Sequence, residues 1–374
     1  MQYSERIAKL HERGRKTNID LFLISSPAAV PYYTGYFFYF EHGNSPFHLL
    51  PALFVSSASL PPTLLLADNE TAPANTADII EVKTYSSYSY RTAPDFTRSC
   101  TDELVKILGP HSSVILRIGI EKNHLPVRIC EALALAIGPI EWIDISEFIS
   151  EQRAVKYPDE INLLRSSAAL CDLGQQTIRR NLKAGKSELE LFSVVKRELD
   201  QNTGTRTALM ADLVSGIQTA TAGGIPSSKI IATGDLVLAD LTPCRQGYWG
   251  DCCNTFSVGP AKSKQKKDFL RVKDGLARAI DNVKPGVRAS DLDLLMRKHI
   301  SDYPHHSGHG VGTMSHEEPR ITPYNHSRLS PGMVIALEPA IYREEYGIRL
   351  EHMILVTQDG AEILTGFDHQ LEKE

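Results

Sequence analysis

The sequence predicts a two-domain chain: a small α/β domain over residues 1–152, then a larger α+β domain over residues 153–374. Three observations lead there. A length of 374 residues is long for one hydrophobic core. The first 150 or so residues alternate short strand-like and helix-like runs. Near residue 150 the texture changes to long amphipathic helical stretches, followed by strand-like phrases that carry acids and histidines.

Taken in order, MQYSERIAKLHERGRKTNID is densely charged, and Ile7 and Leu10 recur at helical spacing, as in a surface helix. IDLFLIS (19–25), TLLLAD (63–68) and SVILRIGIE (113–121) read as strands, and VRICEALALAI (127–137) as a helix. YYTGYFFYF (32–40) reads as a core strand with Gly35 as a turn residue, or as a loop at the mouth of a site. A charged link containing Pro158 leads into a helix whose apolar positions are Ile161, Leu164, Ala168, Cys171 and Ile178. Ser187, with Glu190 three residues on, is the capping box of a second helix. No internal repeat is visible by period, and no segment is of low complexity.

Composition excludes several classes. The chain is 42% hydrophobic and 23% charged, with a mean hydropathy of -0.19. A formal net charge of -5 gives no global attraction to nucleic acid or to an anionic membrane. No run approaches the roughly 20 apolar residues of a membrane span. The charged N-terminus lacks the apolar stretch of a secretion signal. Six cysteines, at 100, 130, 171, 244, 252 and 253, show no CxxC or zinc-ribbon spacing. Together these point to a reduced, cytoplasmic protein. There is no Walker A motif and no G-x-S-x-G, so neither nucleotide binding nor serine-hydrolase chemistry has support.

Five residues stand apart: Asp240 in LADLTP, Asp251 in YWGDCCNTF, His309 in HHSGHGVG, Glu338 in IALEPAIY and Glu351 in IRLEH. Asp240 ends a strand-like alternation, and Asp251 follows PCRQG, a plausible hairpin turn. If the two pair across that turn, their Cβ atoms lie about 5 Å apart and repel unless a cation intervenes. His309 has glycine on both sides, in a stretch with four histidines in twelve residues (His305, His306, His309 and His316). Glu338 sits in an apolar strand that Pro339 terminates. Arg349 and Glu351 alternate with Ile348 and Leu350 on one strand face. Four carboxylates and an imidazole brought together inside a protein call for cations, because an unpaired buried carboxylate costs several kcal/mol or gives up its charge. A pair of divalent metals, suited to hydrolysis, meets that need.

In this order and spacing (Asp-x10-Asp, GHG-x5-HEEP, LEP-x2-Y, R-x-E) the phrases resemble the creatinase/methionine aminopeptidase superfamily with its "pita-bread" fold, and most of all its Xaa-Pro peptidase (prolidase) branch. The resemblance covers about 155–374. It extends more weakly, through position, size and YYTGY, to the creatinase-type N-terminal domain. It implies a curved antiparallel sheet covered by helices, and a homodimer. It also implies two divalent metals, manganese before cobalt, iron or zinc, on Asp240, Asp251, His309, Glu338 and Glu351, with Asp251 and Glu351 bridging. A metal-bridging hydroxide would cleave an Xaa-Pro dipeptide or an N-terminal Xaa-Pro bond. Glu338 would move the proton, and His316 would stabilise the tetrahedral intermediate. Arg320 would meet a substrate carboxylate. His305 and Tyr342 match pocket positions, Arg349 supports Glu351 and the charge balance at the substrate site, and Thr255 would support Asp251.

The pattern breaks in one place. Seventeen residues before the first metal aspartate, where these peptidases carry a histidine, stands Gly223, and no histidine lies between His124 and His299. Asn254 replaces a usual arginine, and Cys252 and Cys253 adjoin the metal aspartate. These departures, with YFFYFEHG (36–43), keep two alternatives open. One is a non-peptide C–N hydrolase or lyase on the same fold, creatinase-like or ectoine hydrolase-like, acting on a small amide or amidine. The other is a binding protein that has kept the fold.

Overall fold

Between Gln152 and Arg153 the chain divides into two units, each with its own core. They are seen in a computed structural model that describes residues 2–37, 50–70, 76, 78–109, 116–300 and 302–372.

The first unit runs α1 (Tyr3–Thr17), β1 (Leu21–Ile24), α2 (Ala29–Thr34), β2 (Ala52–Ser56), β3 (Thr63–Ala67), β4 (Glu81–Tyr85), α3 (Phe96–Leu108), β5 (Leu116–Ile120), α4 (Val127–Ile137), β6 (Ile140–Asp144) and α5 (Ser146–Ala154). Its mixed sheet has the order β4-β3-β2-β1-β5-β6, parallel for β3-β4, β1-β5 and β5-β6 and antiparallel across β1-β2-β3. Leu104 and Ile107 of α3 and Ile129 and Leu133 of α4 pack with Leu21, Leu23, Leu53, Leu65 and Ile118 of the strands. The periodicity that predicted a helix over 127–137 and strands near 21, 63 and 116 is explained by this burial. YYTGY differs from the expected strand. Its first residues close helix α2, and Gly35 ends that helix at φ 74°, a left-handed cap. Residues 38–43 of the aromatic, histidine-bearing stretch lie outside the described residues.

The second unit opens with α6 (Pro158–Asn181) and α7 (Glu188–Thr203). Proline occupies the first turn of α6, and Ser187 and Glu190 form the capping box of α7, with bonds of 3.1 and 2.6 Å. Then come β7 (Ala208–Ser215), β8 (Leu236–Arg245), β9 (Tyr248–Trp249), β10 (Cys252–Ser257), α8 (Ser263–Asp281), α9 (Ala289–Ile300), β11 (Gly308–Gly310), β12 (Glu317–Ile321), β13 (Val334–Leu337), β14 (Ala340–Tyr342), β15 (Gly347–Arg349), β16 (His352–Val356) and β17 (Ala361–Ile363). The antiparallel sheets are β10-β8-β7 and β12-β11-β13-β16-β17, and a bridge between Cys253 and Glu351 ties them together. Helices α6 and α7 bury Leu213, Ala239, Leu241 and Cys252 on the outer face of the first sheet. Helices α8 and α9 bury Ile335, Leu337 and Ile354 of the second.

A repeat invisible by period appears in space. NLKAGK (181–186) and NVKPGV (282–287) link the two helix pairs in the same way. Gly185 and Gly286 adopt φ 88° and 85°, and their N–H groups donate to Ile231 and Leu329. Two copies of one helical hairpin therefore back the two sheets. Both turns keep glycine where φ > 0 demands it.

Candidate metal centre and active site

The register of β8 with β10 and β7 creates the site. The hairpin turns at Gln246–Gly247, both with positive φ, and pairs Cys253 with Asp240 and Cys252 with Leu241. Asp240 and Asp251 are therefore not directly opposite, as the hairpin reading supposed. Extended by one step, the register sets Asp251 beside Thr242, and the Thr242 hydroxyl donates to Asp251 Oδ1 at 3.0 Å. The two aspartates share a face as diagonal neighbours, still close enough for their charges to repel. On the other side of β8, Asp212 of β7 is the direct partner of Asp240. The period-2 rule then gives the sheet two characters. Met210, Asp212, Asp240, Thr242 and Asp251 face the site, and Leu213, Ala239, Leu241 and Cys252 face the helices.

The second sheet brings the remaining donors. His309 on β11 pairs with Ala336, so Glu338, just past the end of β13, lies beside it. The glycines around His309 are required by close approach. A Cβ on Gly308 would lie 2.1 Å from the Ala336 carbonyl oxygen, and one on Gly310 2.2 Å from that of Glu318. His309 Nε2 stands 3.7 Å from Asp251 Oδ2, 3.5 Å from Glu338 Oε1 and 4.0 Å from Glu351 Oε1. Asp251, His309 and Glu351 each offer a ligand atom within 4.8 Å of the others.

Electrostatics show that this donor set suits cations. Burial, with the charges of Asp251, Asp240 and Glu338, pushes the Glu351 carboxyl well above its ordinary range. Burial does the same to Asp251, reinforced by Asp240 and Glu338. It raises Asp240 to about 6, against the opposing charge of Arg349. Glu351 Oε2 is buried with no hydrogen-bond partner among the described residues. Burial holds His309 neutral, down to about 3, which is the form that ligates. Carboxylates short of counter-charge, an orphaned oxygen and a neutral imidazole fit divalent metal ions, and the oxygen-rich set fits hard or borderline ones.

The other predicted residues gather around this core. The His316 ring stacks on His309 with centroids 3.9 Å apart. His305 Nε2 is 3.0 Å from the Tyr342 hydroxyl, which in turn accepts from Arg349 Nη1 at 3.2 Å. Arg349 Nη2 donates to Asp240 at 2.6 Å and to Asp212 at 3.0 Å, so it supports Asp240 by a direct bond and Glu351 through its charge. Arg320 reaches His306 Nδ1 at 3.3 Å and stands behind the cavity wall. Thr255 does not touch Asp251. Its hydroxyl bonds the backbone of Arg349 at 3.0 and 3.1 Å, so the support for Asp251 comes from Thr242. Cys252 packs into the helix-side core, and the Cys253 thiol donates to the Arg349 carbonyl. Burial keeps both thiols protonated.

Two participants escaped the sequence reading. His306, named there only for histidine density, donates to Glu338 Oε1 at 2.9 Å. Burial works to raise the Glu338 carboxyl, but this bond holds it low and ionised. Asp212 carried no motif at all. Only its alternation with Leu213 on a strand beside LVLAD pointed to the site face. The five ligand-type residues, Asp212, Thr242, His305, His306, His316 and Arg349 line a cavity of about 610 Å³.

With the geometry in hand, comparison with known proteins agrees. Residues 162–358 match the family model "Metallopeptidase family M24" and residues 6–155 match "Creatinase/Prolidase N-terminal domain". The chain is 29% identical to the Xaa-Pro dipeptidase of Pyrococcus horikoshii over 98% of its length and 99% of the relative's. It is 33% identical to a putative dipeptidase of Bacillus subtilis over 71% and 75% of the two chains. The crystal structure of the prolidase from Pyrococcus horikoshii OT3 superposes with a TM-score of 0.83 at 28% identity, covering 98% of this chain and 99% of that one. The chain belongs to metallopeptidase family M24, with a creatinase/prolidase-type N-terminal domain and a pita-bread catalytic domain.

Proposed function

We propose that the protein is a metal-dependent Xaa-Pro dipeptidase. The observation that carries this reading is the convergence of five ligand-type residues with His305 and His316 around one cavity, with Tyr342 and Arg320 bonded to His305 and His306 of its wall, in a chain that matches Xaa-Pro dipeptidases end to end. Asp240, Asp251, His309, Glu338 and Glu351 would hold two divalent cations, manganese foremost. When bound, such a pair supplies Lewis acidity toward a carbonyl and acidifies water near neutral pH. Glu338, ionised through His306, takes the proton of the attacking water and delivers it to the leaving proline nitrogen. His316, beside His309 at the cavity wall, donates to the carbonyl oxygen as negative charge builds there. Arg320 meets the substrate carboxylate with its planar fork. Arg349 fixes Asp240, and the Tyr342–His305 pair closes the wall beside it. A cytoplasmic homodimer completes the reading. The six cysteines are free, and no helix among the described residues is long and apolar enough to cross a membrane. Sedimentation would test the dimer.

The test is a panel of Xaa-Pro dipeptides, Xaa-Pro tripeptides, creatine and ectoine on manganese-loaded protein, with Asp251→Ala as the blank. Dipeptide cleavage that falls at least about a hundredfold in the blank supports the reading. Turnover of creatine or ectoine with no Xaa-Pro cleavage would overturn it.

A further inference from the structure

Asp212 is a carboxylate in the active-site cavity that the proposed metal ligation does not use. Its Oδ2 accepts from Arg349 and its Oδ1 from the Gly224 N–H at 3.1 Å. A carboxylate has about four lone-pair positions, so roughly half remain free. The side chain is 31% exposed and lines the cavity. Beside it is a notch. A Cβ built on Gly223 has Asp212 Oδ2 at 3.3 Å as its nearest neighbour, and its next two nearest atoms also belong to Asp212. The backbone at Gly223 is not left-handed, so its conformation does not require glycine. A side chain there would press on the Asp212 carboxylate, which the glycine leaves uncovered. Around this end, Met210, Ile225 and Pro226 make an apolar wall, with Met210 and Ile225 48% and 82% exposed.

An apolar wall ending in a carboxylate matches a side chain with an aliphatic stem and a cationic head. Its position fixes which part of the substrate would enter. The contacts run from Arg320 to His306, Glu338, His309 and Asp251, and then through Asp240 and Arg349 to Asp212. A second series runs from His306 through His305, Tyr342 and Arg349; Arg320 and Asp212 end both, with the ligand-type residues on one path and the pocket pair on the other. If the carboxylate of the peptide lies toward Arg320, the residue before the scissile bond lies toward Asp212. We propose that Asp212 and the notch at Gly223 form a subsite for a cationic first residue, so that the enzyme prefers Lys-Pro and Arg-Pro. This rests on the dipeptidase reading above.

The test compares Lys-Pro with norleucyl-Pro, which keeps the aliphatic stem and lacks the ammonium. The quantity read is the ratio of their kcat/KM values on manganese-loaded protein. A ratio of about ten or more is expected from a charge-assisted hydrogen bond, with Glu-Pro poorer than either. Asp212→Asn should bring the ratio toward one, and taking a ratio cancels any common effect through Arg349. Gly223→Val, which fills the notch and keeps the charge, should lower it as well. A wild-type ratio near one, or a ratio unchanged in Asp212→Asn, overturns the proposal. If neither dipeptide is cleaved, the dipeptidase reading fails, and calorimetric titration of the metal-loaded protein with the same two compounds still decides the subsite. Tighter binding of Lys-Pro that is lost in Asp212→Asn upholds it, and equal or absent binding overturns it.

Discussion

At the scale of single residues, the site works through second partners as much as through ligands. Thr242 holds Asp251 at 3.0 Å, fixing which carboxylate oxygen is left for a cation. Thr242→Val should weaken manganese affinity about 10- to 100-fold with the fold intact, measured by calorimetry alongside circular dichroism. Unchanged affinity would mean that the strand alone positions Asp251. Gly308 makes a different demand, since even a methyl group collides with the backbone of β13. Gly308→Ala should therefore cost at least about 2 kcal/mol in urea unfolding. A neutral result would show that the two strands can separate without loss.

At the scale of elements, helix α8 is fastened to the β14–β15 hairpin by Asp268, which accepts from Arg343 at 2.9 and 3.0 Å and from the Tyr346 hydroxyl at 2.8 Å. Burial tends to raise the Asp268 carboxyl, but the bonds from Arg343 and Tyr346 outweigh it and leave it below its ordinary value of 3.8. A carboxyl lowered by folding stabilises the native state fully above its unfolded pKa, and that gain is lost as pH falls through the folded value. Asp268→Asn should cost about 1.5–3 kcal/mol near neutral pH. The difference in melting temperature from wild type should shrink as pH drops below the ordinary carboxylate range. A gap that stays constant with pH would assign the cost to packing instead.

For the molecule as a whole, the metal-free catalytic unit carries an electrostatic burden at its centre. Buried Asp240, Asp251 and Glu351 repel one another, and Arg349 answers chiefly Asp240. Divalent metal should raise the melting temperature in a concentration-dependent way, with about 2.7 kcal/mol gained at a hundredfold excess over Kd. Glu351→Gln should be more stable than wild type in chelator and should lose most of the gain on adding manganese. If the variant is instead less stable in chelator, Glu351 is held by bonds that outweigh its repulsion.

The sequence by itself determined a great deal here. Local periodicity and capping chemistry act within a few residues, so α4, the start of α6 and the cap of α7 were legible. The five ligand-type residues were legible because buried acids and a glycine-flanked histidine stand out against apolar strands. Only the tertiary structure decided what depends on register and on approach between segments distant in sequence. It moved Asp251 from Asp240 to Thr242, turned YYTGY into the end of a helix, and gave Thr255 to the backbone of Arg349. It also revealed the paired helical hairpins and brought Asp212 and His306 into the site. Strand register is a property of two chain segments at once, and a shift of two residues preserves every face while changing every partner.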